Sequence, residues 1–278
     1  MSQIVANAAQ IRNQGIEVLL NFVPVSTRNL QWNSGLNYST NKNVLVSLSS
    51  NTFAATNDFF DAGYTGEPIQ EATHRVQVGQ PIGNFYGYKS IGIDDNGRWI
   101  IEGKDGKPVA SADKSPDDKK VLGNGLPKHY LGWNNSVRYK NFDLNVTMRG
   151  AFGFQILNFQ RLFYENPKVT QYNMLKTAFD NVYGKTRLND DLAYVSYYIE
   201  DGDYWKIDNV TLGYNFNTKG IKYIKQARLY VAALNLATIT GYKGIDPEVS
   251  RTGLAPGDDE RDKYPTTRTF TVGVNLTF

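Results

Sequence analysis

FDLNVTMRG, residues 142–150, places Phe142, Leu144, Val146 and Met148 on one face and Asp143, Asn145, Thr147 and Arg149 on the other. A strict period of two is the repeat of a strand whose two faces meet different solvents. The same repeat closes the chain, where Phe270, Val272, Val274, Leu276 and Phe278 oppose Thr271, Gly273, Asn275 and Thr277. NVTLGYNF at 209–216 sets Val210, Leu212, Tyr214 and Phe216 against Asn209, Thr211, Gly213 and Asn215. Nearer the start, Ile16, Val18, Leu20 and Phe22 alternate with a mixed face, followed by Trp32, Leu36 and Tyr38. Leu131, Trp133, Val137 and Tyr139 share one face at 131–139, whereas 226–239 alternates poorly and is placed as a strand by its neighbours.

Working outward, seven long strands are predicted at about 14–25, 30–46, 129–140, 142–160, 202–217, 226–240 and 267–278. Short connections near 26–29, 140–141 and 218–225 alternate with long ones at about 49–128, 161–201 and 241–266. Irregular loops of that length are uncommon inside compact soluble domains. A transmembrane β-barrel makes them routinely, with short turns on the periplasmic side and long loops outside. Phe22, Trp32, Tyr139, Phe142, Phe216 and Phe278 all fall beside short turns or at the terminus, which predicts one aromatic belt at the periplasmic interface.

Composition agrees with that reading and excludes others. The chain has 278 residues, and 30 Lys+Arg against 27 Asp+Glu leave a net charge of only +3, with no basic stripe to neutralise nucleic-acid phosphates. The absence of cysteine removes disulfides, thiolate metal sites and cysteine nucleophiles together. Two histidines, His74 and His129, give a triad or a histidine metal site almost nothing to work with. The richest apolar run, LYVAALNLATI at 229–239, is too short for a membrane helix and contains Asn235. A mean hydropathy of −0.45 is compatible with a barrel, because its lipid-facing residues alternate with lumen-facing ones.

Seven strands form an odd set, while single-chain bacterial barrels have even counts and bare strand edges cannot face lipid. The chain is therefore expected to be the C-terminal part of a larger barrel. MSQIVANAAQIRNQG at the start has no basic segment followed by an apolar one, so no secretory signal is read there.

Five runs in order resemble the SusC/RagA family of TonB-dependent outer-membrane transporters. They are IRNQGIEVLLNFVPV at 11–25, VGQPIGNFYGYKSIGI at 78–93, DGDYWKIDNVTLGYNF at 201–216, LYVAALNLATITGYKGIDPEVS at 229–250 and YPTTRTFTVGVNLTF at 264–278. The resemblance implies an all-β fold, an antiparallel barrel of about 22 strands, of which residues 1–278 supply the last seven. The family's signal peptide, TonB-contacting segment and plug domain have no counterpart here. It also implies a multi-pass outer-membrane location, in contact with lipid, and TonB-energised import of oligosaccharides or oligopeptides. A SusD-like surface lipoprotein would be the partner, and TonB would act through the N-terminal part. A structural or adhesive barrel without transport is the rival reading. A lipase-like barrel enzyme comes third and lacks its nucleophile and histidine.

Asp143, Asn145, Thr147, Arg149, Asn209, Thr211 and Asn275 are the expected lumen-facing residues. Tyr86, Tyr88, Tyr194, Tyr197 and Tyr198 are the candidate substrate-binding residues, since aromatic faces stack on sugar rings and peptide side chains; girdle or loop packing is the plainer account. Phe278 resembles a barrel-assembly signal. Asp94-Asp95-Asn96-Gly97 resembles the start of a calcium loop, making Asp94 and Asn96 weak candidates for a loop-bound divalent cation. Trp99 breaks that pattern and no glutamate closes it, so a turn is expected and no cofactor. The mixed-charge runs at 114–120 and 258–263 read as solvated loop tips, the second also able to meet a partner lipoprotein. Glu200, Asp201 and Asp203 cluster at a loop edge without the fixed separation that acid–base catalysis requires.

Overall fold

A computed structural model describes residues 9–49 and 54–278. Seven strands form one antiparallel sheet in which each lies beside its neighbours in the chain: β1 (Gln10–Ser26), β2 (Leu30–Ser47), β3 (His129–Tyr139), β4 (Phe142–Phe152), β5 (Tyr204–Phe216), β6 (Gln226–Thr240) and β7 (Thr269–Thr277). Among the described residues β1 and β7 do not pair with each other, so the sheet is an open wall. No described helix is long and apolar enough to cross a membrane.

Register carries the period-two pattern across the wall. Val25, Trp32, Val137, Leu144, Leu212, Val231 and Val272 are successive cross-strand partners in one apolar row. Asn21, Gly35, Asn134, Thr147, Asn209, Leu234 and Thr269 form a parallel row on the opposite face. The apolar face is uncovered: Leu20 is 53% and Val272 73% exposed. Aromatic side chains gather at the short-turn end, where Phe142 meets Tyr214 with ring centroids 4.8 Å apart and Tyr214 meets Phe216 at 5.0 Å.

Two departures from the expected strands have local causes. The strand expected over 142–160 stops at Phe152, because Gly153 adopts φ +76° and turns the chain into a short strand, Gln155–Asn158, and then into α1 (Phe159–Tyr164). Asn158 caps α1 by accepting from the Arg161 amide at 3.0 Å. The poor alternation of β6 coincides with a bulge: between the pairs Asn209–Leu234 and Ile207–Ala237 it sets two residues, Asn235 and Leu236, against the single Asp208, and Asn235 adopts φ +51°.

The long connections, 48–128, 153–203 and 241–268, are not irregular. Together they build a cap at the other end of the wall, with a four-stranded and two three-stranded sheets. One of these pairs Leu157 with Asp258 in parallel, joining the second excursion to the third. The hydrophobic core lies here rather than behind the wall. Phe85, Trp99, Ile101, Leu157, Leu162, Phe163, Tyr194 and Tyr198 are all buried in it.

Candidate functional site

The polar face of the wall begins with a pair near the short turns. Arg228 on β6 donates through Nε to Asp143 Oδ2 at 3.0 Å, and Asn215 Nδ2 donates to the same oxygen at 2.9 Å. Gly213 lies between the two charged residues, and a Cβ there would occupy the space of the Arg228 guanidinium. Asn145 pairs with Thr211, whose hydroxyl donates to Asn209 at 3.0 Å, and Asn275 pairs with Arg228. The register thus sets Asp143, Asn145, Thr147, Arg149, Asn209, Thr211 and Asn275 on one face.

Toward the cap this face meets the third excursion in an ionic cluster. Arg149 on β4 bonds Asp208 in the β5 bulge and donates through Nη2 to Glu248 at 3.0 Å. Lys206 on β5 is buried and reaches both Glu248 and Asp246, the latter at 3.4 Å. Asp246-Pro247-Glu248 forms a tight turn in which Asp246 accepts the Glu248 amide at 2.9 Å. Lys263 then donates to the carbonyls of Asp246 at 2.6 Å and Glu248 at 3.0 Å. Burial opposes ionisation of Asp246, yet the Thr266 hydroxyl, the Glu248 amide and the nearby lysines outweigh it and hold the carboxyl below its ordinary range.

Beside the cluster sits Arg251. Its guanidinium lies 5.0 Å from the ring centre of Phe154, 5.5 Å from that of Tyr204 and 5.8 Å from that of Tyr130. Nη2 donates to the Tyr204 hydroxyl at 3.2 Å. Small Ala151 pairs with both Tyr130 and Tyr204 and leaves room above it. Arg251 lines a cavity of about 820 Å³ together with Glu17, Asn37, Ser39, Gly132 and Gly150. The sequence hid this arrangement, because its members come from five strands and a distant loop.

A second polar cluster locks the cap. Thr73 Oγ1 stands 2.7 Å from His74 Nδ1 and 3.1 Å from Asp258 Oδ2, while His74 Nε2 donates to the Pro256 carbonyl at 2.9 Å. Burial lowers His74 to about 4 and raises Asp258 to about 7. The Tyr194 hydroxyl donates to the Thr73 carbonyl at 2.8 Å, so first, second and third excursions converge on this point. Asp258 therefore belongs to an interlock and not to a solvated tip. His129, which lacked a recognisable partner in sequence, has the Tyr38 hydroxyl at 2.8 Å.

The expected tyrosine site does not assemble as one surface. Tyr88, Tyr194 and Tyr198 are buried in the cap core, which leaves little ring surface for a ligand to stack on. Tyr86 is half-buried with the Arg75 guanidinium 3.8 Å from its ring centre, and Tyr197 packs against Trp99 at 5.3 Å. Asp94 accepts the amides of Asn96 at 2.9 Å and Arg98 at 2.7 Å, which spends that oxygen on the turn. Phe278 is 71% exposed at the short-turn end.

No protein-family model matches the chain. Among curated proteins it is 29% identical over 311 residues to TonB-dependent receptor P3 of Formosa agariphila, a match covering 100% of the chain and 30% of that receptor. It is 27% identical over 297 residues to TonB-dependent receptor SusC of Bacteroides thetaiotaomicron, again over 100% of the chain and 27% of the relative. The solved RagAB peptide transporter superimposes with a TM-score of 0.82 at 20% identity, covering 98% of this chain and 29% of that one. The RagAB importer in its closed-closed state gives 0.80 at 21% identity, covering 98% and 30%. The chain spans about 30% of the length of the first curated relatives it matches.

Proposed function

We propose, on the footing that the chain is of the SusC/RagA type of TonB-dependent receptor, that it forms part of an outer-membrane importer of large nutrients. Its contribution is wall and extracellular cap. The apolar face meets lipid, the polar face meets the lumen, and the aromatic belt sits at the periplasmic interface. Asp143, Asn145, Thr147, Arg149, Asn209, Thr211 and Asn275 keep the interior wet. A SusD-like lipoprotein closes over the cap, and TonB supplies energy through the rest of the receptor. Phe278 serves assembly.

The observation that carries this reading is the asymmetry of the sheet. One face is predominantly apolar and uncovered, its polar Ser34 and Asn135 bonded to each other and to Trp32 and Trp133, and the other holds ion pairs, of which Arg149–Glu248 reaches into the cap. An apolar face of that extent is stable in contact with hydrocarbon and destabilising in water. The relatives named above are receptors and an importer; the importer's substrate is peptide, and for this chain oligosaccharide and oligopeptide are both compatible with the wall.

The chain contains no cysteine, so in a receptor whose remaining part is also freed of cysteine a single introduced thiol reports position directly. Asn145→Cys and Val146→Cys in the complete receptor, probed in intact cells with a membrane-impermeant thiol reagent, should label at 145 and not at 146. Labelling of both alike, or only at 146, overturns the assignment of faces. Uptake that persists after the energy coupling is removed overturns the importer reading.

A further inference from the structure

Arg251 differs from the other cations around it. Arg149 is matched by Asp208 and Glu248, Lys206 by Asp246 and Glu248, and Lys263 by Asp259 at 3.6 Å. Among the described residues Arg251 has no carboxylate within ion-pair reach; its side-chain hydrogen bond goes to the neutral Tyr204 hydroxyl, which in turn donates to Glu248, already shared by Arg149 and Lys206, at 3.2 Å. A guanidinium held against three rings is fixed in place and poorly hydrated, yet keeps most of its five donors. That is the chemistry of a carboxylate receptor: planar, always charged and able to bond two oxygens at once.

The surroundings suit an oligomer lying along the polar face. Glu17, Ser39, Tyr130, Ala151 and Tyr204 form one continuous cross-strand row, and Arg251 stands over its Tyr130–Tyr204 end. Gly132 and Gly150 leave the floor open, and Asn37 and Ser39 offer neutral hydrogen bonds along it. Glu17 lies two strand spacings from Tyr130, roughly 10 Å, so an anion is favoured at the Arg251 end and disfavoured at the other.

We propose that Arg251 is the anchor for a carboxylate on the imported oligomer, with the rest of that molecule running toward Glu17. The carboxylate comes either from a uronic acid residue or from a peptide. This rests on the importer reading and adds the charge of its substrate.

The test is equilibrium binding to the complete receptor in detergent, where energy coupling plays no part. Four probes separate the sources: an oligogalacturonate, its methyl ester, a tripeptide with a free C-terminal carboxyl, and its amide. One free acid should bind more tightly than its neutral counterpart. R251Q should weaken that acid by about tenfold or more and leave the neutral form unchanged, and R251K should restore part of the preference. If neither acid is preferred by the native receptor, or if R251Q weakens acid and neutral forms alike, the proposal is wrong and Arg251 is a packing residue. Binding without acid preference leaves the importer reading intact. Absence of binding by every probe overturns the proposal, and joined to absence of uptake it overturns the importer reading as well.

Discussion

Arg149 Nη2 donates to Glu248 Oε2 at 3.0 Å across 99 residues of sequence, tying the middle of the wall to the third excursion. Glu248 also receives Lys206, whose side chain is only 2% exposed, so one carboxylate compensates two cations. Removing it strands a buried ammonium with Asp246 alone. Glu248→Gln should lower the unfolding free energy by about 1–3 kcal/mol, the cost of leaving a buried charged donor short of its acceptor. Hydrogen exchange of 241–268 in the complete receptor checks this: faster exchange confined to that excursion is expected, and an unchanged rate would count against the tether.

The lock around Thr73 makes a prediction about pH whose sign can be worked out. Burial raises Asp258 from 3.8 to about 7 and lowers His74 from 6.5 to about 4. Between about pH 4 and 6.5 the folded cap carries one proton on Asp258 and none on His74, while the unfolded chain carries none and one. The counts match, so these two groups leave stability flat there. His74→Gln leaves Asp258 alone, and stability should then fall with a one-proton slope as pH rises toward about 7. Asp258→Asn leaves His74 alone, and stability should rise with pH from about 4 to 6.5. Thermal unfolding of both variants across that range decides it; slopes of the same sign would refute the pairing.

Val146 and Asn145 are adjacent in β4 and stand on opposite faces of the wall. If the apolar face meets lipid, Val146→Arg should cost ~2–4 kcal/mol near the bilayer midplane, whereas Asn145→Arg should cost little. Comparing the fraction of heat-modifiable, folded receptor for the two variants tests the difference. Equal yields would contradict the placement in lipid.

Gly213 makes room for Arg228 to reach Asp143. Gly213→Val should force the guanidinium out and destabilise the wall by about 1–3 kcal/mol, as overpacking of a filled site does. Gly241, beside which a Cβ meets nothing within 4 Å and whose φ is not in the left-handed region, is the control for substitution of a glycine as such. A Gly213 variant as stable as the native receptor would show that the notch is not needed.

The wall was readable because a strand's solvent preference repeats every two residues, and Phe142 to Arg149 display that repeat without interruption. It failed first at Gly153, where a positive φ redirects the chain with no change of composition to announce it. The cap was not readable as a folded body, since Trp99 of the first excursion meets Leu157 and Tyr194 from opposite ends of the second and no local period links them. Tyr194 and Tyr198 seemed available to a ligand for the same reason: aromatic density is visible in sequence, but whether a ring is covered depends on segments far away. The charged cluster is the extreme case. Lys206, Asp246 and Glu248 lie on both sides of a hairpin, and their meeting depends on where the third excursion folds back.

The interlocks between excursions constrain how such receptors can diversify. His74 holds Pro256, Tyr194 holds Thr73, and Leu157 pairs with Asp258, so each excursion carries half of a joint whose other half is encoded elsewhere. A chimera that borrows one excursion from a relative arrives with those joints unmatched. Exchange of the outer portion is therefore an all-or-none event: the three segments are inherited as a set, and recombination breakpoints that separate them should be selected against even though the strands between them would tolerate the cut.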